Sequence, residues 1–126
     1  MNKIRNSIII IHDYEFETIE KIQKEANSYW SEYYANNGCK CSAVVSPIIP
    51  TVFNKEYTFM INGDCVSDSD LRDTFIKDKI NWCDYIYKAY LPQNIAIVNI
   101  GDDGESFIEY QLPKIEVYNN DIYTGQ

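Results

Sequence analysis

The stretch "NSIIIIHD" (residues 6–13) decides how the rest of the chain is read. Four consecutive isoleucines are stiff at χ1 and suit a pleated strand. The run is apolar on both sides of that pleat, which fits a strand inside a sheet better than one at its edge. It is too short for the apolar region of a signal peptide or for a membrane span, so the chain is expected in the cytoplasm. Its cysteines, Cys39, Cys41, Cys65 and Cys83, are then expected to be reduced.

Beyond residue 13 the period changes from two to about 3.6. With Ile19 at the origin of a helical wheel, Ile22, Ala26, Tyr29, Trp30 and Tyr33 fall within about 80° of it, with Phe16 and Tyr34 at the margin. Glu17, Lys21, Lys24, Glu25, Ser28 and Glu32 take the opposite side. The spacing predicts an amphipathic helix with Asp13 as its N-cap and "NNG" (residues 36–38) as its stop.

"CKCSAVVSPIIP" (residues 39–50) reads as a strand that ends near an edge, because Pro47 and Pro50 lack a ladder donor. "EYTFMING" (residues 56–63) alternates as a strand and is expected to close in a turn at Asn62-Gly63. A second helix follows, with Leu71, Phe75, Trp82, Cys83, Ile86 and Tyr90 on one side and Pro92 beyond its end. "NIAIVNIGDDGESFIEYQL" (residues 94–112) reads as a hairpin turning at residues 101–104. The order β-α-β-β-α-β-β predicts an α+β, ferredoxin-like sandwich, with two helices on one face of an antiparallel sheet. The 126 residues form one domain, residues 113–126 being an extra strand or an ordered tail.

The formal net charge of −8, with 19 acids against 11 Lys and Arg, argues against direct binding of nucleic acid, which needs cations facing phosphates. The same acidity favours a protein partner with a basic surface. Eleven tyrosines suit contact surfaces as well as half-buried sheets.

The acids are densest in "FMINGDCVSDSDLRDTF" (residues 59–75), where Asp64, Asp68, Asp70 and Asp73 lie within ten residues. Ser67 and Asp70 resemble a capping box, and first-turn acids also answer the helix dipole. If strands one and three run parallel, both helices start at one end of the sheet. Asp13, Glu15 and Glu17 then gather with Asp64, Asp68, Asp70 and Asp73 into an acidic rim, for which Tyr14, Glu17, Asp64, Asp68, Asp70 and Asp73 are the expected partner contacts. No phosphate loop, nucleophile elbow or EF-hand spacing is present. Cys39 and Cys41 lack the second pair that a zinc site would use, so neither metal nor cofactor is expected. An alternative reading places magnesium on carboxylates at the end of the first strand, with Asp13 and His12 serving a nuclease.

In such a sandwich one face of the sheet has no helix over it. Ile8 and Ile10 share a face opposite to Ile9 and Ile11, and residues 95–98 offer matching side chains. Either the tail covers that second face or a second copy of the chain does, as a homodimer.

"IIIIHDYEFETIEKIQKEAN", "PIIPT" and "YTFMINGD" resemble stretches of small early proteins of T-even-type bacteriophages over about the first seventy residues. That resemblance implies a protein that binds and disables or redirects a bacterial protein, defence systems included. It carries over no catalytic residue. The expectation is a non-enzymatic acidic binding protein, an inhibitor of a bacterial host or defence protein, with an immunity protein against a toxic nuclease as the alternative binder.

Overall fold

A computed structural model describes residues 4–33, 41–65, 70–101 and 103–114. The isoleucine run lies in β1 (Ile4–Asp13), which is followed by α1 (Phe16–Ala26) and a π-helical segment (Asn27–Tyr33). Then come β2 (Cys41–Val45), a two-residue β3 (Ile49–Pro50), β4 (Tyr57–Cys65), α2 (Arg72–Tyr90), β5 (Asn94–Gly101) and β6 (Ser106–Leu112). All strand pairs are antiparallel, in the order β2-β4-β1-β5-β6, with β3 also paired to β4. Among the described residues the fold is α+β, a six-stranded antiparallel sheet with two helices. It has one strand more than expected, because Ile49 and Pro50 pair with Thr58 and Tyr57 at the sheet margin, where a missing N–H is tolerated.

β1 is interior, flanked by β4 and β5. Its two apolar faces have different fates. Ile9 and Ile11 join Phe59, Ile61, Ile95 and Ile97 under the helices, with Ile19, Ile22 and Trp30 on one helical side and Phe75, Trp82 and Ile86 on the other. Each fully buried isoleucine there contributes roughly 1.5–3 kcal/mol. Trp30 stands edge-on to both Phe75 and Trp82, at 5.9 and 6.0 Å between ring centroids. Ile8 and Ile10 lie on the opposite face and are half-buried.

Several local expectations are corrected. Asn62-Gly63 is not a turn: β4 continues to Cys65, and Gly63 is buried in mid-strand. A Cβ there would sit 2.8 Å from the Ser42 carbonyl oxygen, 2.9 Å from Ala43 Cβ and 3.1 Å from Phe75 Cζ. The glycine therefore serves close packing of β2 and α2. Asp13 does not cap α1, whose N-cap is Glu15 without a side-chain bond. Asp13 Oδ2 instead accepts the Glu15 N–H at 2.9 Å, and its Oδ1 accepts the Gln93 N–H at 2.8 Å. The α-helical pattern stops at Ala26 and widens into the π segment, which still turns Trp30 into the core. α2 starts at Arg72, later than the serine-aspartate run, with Leu71 at its N-cap. Ser67, Asp68 and Ser69 lie outside the described residues, as do residues 36–38 and the tail from residue 115. β5 and β6 pair antiparallel as the expected hairpin, with Gly104 at φ 85°, while Asp102 lies outside the described residues.

Cys41 and Cys65 are direct partners across β2 and β4 and form a disulfide, so the expectation of four reduced thiols does not hold for this pair. Cys39 lies outside the described residues. Among the described residues, Cys83 is a free, buried thiol.

Candidate interaction site

The strand directions separate the acids that were expected to gather. β1 and β4 run antiparallel, with Asp13 opposite Tyr57 and Ser7 opposite Gly63. Glu15 and Glu17 therefore stand at one end of the sheet, beside the start of α1. Asp64, Asp70 and Asp73 stand at the other, roughly 20 Å away at about 3.3 Å per residue. One rim containing both groups does not exist, because helices that follow antiparallel neighbours start at opposite ends. Glu17 and Asp73 each lie in a first helical turn, where the dipole accounts for them. Asp64 attracts the buried Lys79 ammonium. Asp68 lies outside the described residues.

A different surface emerges at the Tyr14 end. The segment between β3 and β4 is a tight projection in which Thr51 N–H donates to the Glu56 carbonyl at 2.8 Å and Glu56 N–H donates to Thr51 Oγ1 at 3.0 Å. Lys55 adopts a left-handed φ of 54° to close it. At its tip Val52 and Phe53 are 85% and 92% exposed. Neighbouring elements bring more apolar surface to the same end: Tyr14 and Phe16 after β1, and Leu91 after α2, all exposed. The Asp13–Gln93 bond ties the last two elements together there, and Phe16 meets Tyr57 edge-on at 5.3 Å. Glu15 and Glu17 flank this surface.

His12 lies close by, but not as a metal ligand set with Asp13. Neighbours in a strand point to opposite faces, and Asp13 is buried on the helix side with both oxygens engaged. On the other face, His12 Nε2 is 2.8 Å from Glu56 Oε1, while Nδ1 shares a 3.0 Å hydrogen bond with Thr58 Oγ1. Among the described residues no group of three His, Cys, Asp or Glu side chains converges as a metal site would require. No helix among them is long and apolar enough to cross a membrane.

The opposite end holds a buried polar contact that sequence reading missed. Lys79 is fully buried, and its Nζ donates to the backbone carbonyls of Ser7 at 2.9 Å and Gly63 at 3.1 Å, 4.2 Å above the Phe75 ring centroid. Burial pulls the ammonium down from 10.5 to about 7, against the smaller attraction of Asp64. The adjoining cleft, bordered by Asn6, Arg72 and Asp64, has free space of about 10 Å³, roughly that of one water molecule and too little for a substrate. A signal was available: Lys79 stands four residues from both Phe75 and Cys83, within the apolar stripe of α2. Val52 and Phe53 carried a weaker one, two large apolar residues in a short connection without a periodic partner.

Comparison of the chain with protein-family models, with curated proteins and with solved structures finds no match.

Proposed function

We propose that this chain is a non-enzymatic protein-binding domain whose contact surface is the apolar end built by Val52, Phe53, Tyr14, Phe16 and Leu91. The carrying observation is the exposure of Val52 and Phe53 at the tip of a hydrogen-bonded projection. Burying two such side chains in a partner offers roughly 1.5–3 kcal/mol each. The tip is held in place before contact, so little ordering is needed on binding. Glu15 and Glu17 beside it favour a partner whose apolar cleft is bordered by basic residues, which would speed encounter and fix orientation. Tyr14 and Glu17 thus remain contact residues, while Asp64, Asp70 and Asp73 belong to the far end.

The order β2-β4-β1-β5, with each helix linking two parallel strands across a third, supports a ferredoxin-like sandwich extended by β3 and β6. The resemblance to T-even-type early proteins supports a bacterial protein as the partner, and inhibition as the consequence. Affinity capture from a bacterial lysate, with wild type and a Val52→Ser/Phe53→Ser double variant, tests the reading. A protein retained by wild type and lost by the folded double variant is the expected result. Equal retention by both would refute it.

A further inference from the structure

The face of the sheet turned away from the helices is nearly free of charge in a chain of net charge −8. Register places Val44, Asn62, Ile8, Val98 and Ile108 in one row across five strands. The next row holds Met60, Ile10, Ala96 and Gln111. No described element packs over these rows; Val44 and Ile108 are exposed and the residues between them, apart from exposed Asn62, are half-buried. The carboxylates nearby are Asp64, at one corner, and Glu56, which is paired with His12 at the far margin.

We propose that a second copy of this chain covers this face, sheet against sheet. Two chains of charge −8 repel each other wherever their carboxylates approach. This face lets them meet without placing like charges in contact. A basic partner gains nothing here, because its attraction lies with the acids elsewhere. A two-fold arrangement sets each row against its symmetry mate, so an uncharged apolar row is self-complementary. Five strands at about 4.8 Å and some eight residues at about 3.3 Å give roughly 600 Å² per copy, close to the roughly 800 Å² per partner of a standard interface. The proposal is independent of the Val52–Phe53 surface.

Sedimentation equilibrium of the full chain tests it. The expected mass is twice the 14.7 kDa of one chain at about 100 μM protein. Raising salt from about 20 to about 500 mM should tighten the dimer, since screening weakens repulsion between the two acidic bodies. Val98→Glu should raise the dissociation constant roughly 100-fold or more by burying like charges against each other. Val44→Glu and Ile108→Glu change side chains already exposed, so they leave the fold intact and should weaken the dimer in the same direction. A monomeric wild type, a dimer loosened by salt, or a dimer indifferent to both Val44→Glu and Ile108→Glu would overturn the proposal.

Discussion

Lys79 Nζ donates to the carbonyl oxygen of Ser7 at 2.9 Å, fastening the middle of α2 to the interior strand of the sheet. The unfolded chain keeps the Lys79 proton up to its ordinary 10.5, whereas the folded chain releases it near 7. Between those values the unfolded state binds more protons, so this group adds stability as pH rises, by about 1.4 kcal/mol per unit. Below pH 7 its contribution is flat and at its lowest. Denaturant unfolding between about pH 7 and about pH 9.5 should show this rise in wild type and lose it in Lys79→Met.

Gly63→Ala should destabilise the fold by about 1–3 kcal/mol, because the added methyl meets the Ser42 carbonyl and Ala43 as well as the Phe75 ring. Phe75→Leu should not restore it, since two of the three close approaches come from β2. Thermal unfolding of the single and double variants measures both effects.

The disulfide between Cys41 and Cys65 spans 24 residues. Opening it should cost about 3 kcal/mol on the chain-entropy account. Urea unfolding with and without reductant, set beside the Cys41→Ser/Cys65→Ser variant, measures it. Cys83 should resist maleimide until the protein unfolds, because burial pushes its thiol well above the usual range. Labelling followed by mass spectrometry reads this directly.

Tyr90 and Tyr85 both donate to Glu25 Oε2, joining α2 to α1. The carboxylate raises Tyr90 to about 12. The same carboxylate, through its hydrogen bond, raises Tyr85. In Glu25→Gln both phenols should therefore ionise closer to their ordinary 10, and an ultraviolet titration of phenolate should show two tyrosines moving down.

Val52→Ser/Phe53→Ser should change folding stability by no more than about 0.5 kcal/mol, because both side chains already face solvent. Chemical denaturation of the double variant checks that any lost binding is a surface effect.

Periodicity made much of the fold legible. The isoleucine run, both amphipathic helices and the final hairpin follow from local pattern and turn chemistry. Strand direction was legible too, because each successive element reverses the chain. A helix returns β2 parallel to β1, and β4, antiparallel to β2, runs opposite to β1. Expecting strands one and three to be parallel overlooked that reversal. Once β1 and β4 are antiparallel, Asp13 and Asp64 belong to opposite ends, whatever their spacing in sequence. Asn62-Gly63 misled because its glycine answers a packing need in mid-strand rather than a turn. Lys79 was hidden by its residue type: lysine usually seeks water, and only its place on the helical stripe spoke for burial. The Val52–Phe53 tip lies where no periodic rule applies, so its exposure was visible only in three dimensions.

The place of β1 between β4 and β5 also bears on how the molecule is made. Residues 8–11 are made well before their ladder partners, residues 59–62 and 95–98. The isoleucine run must therefore wait, unpaired, until those later segments have been made. Assembly of the sheet is a late, long-range event.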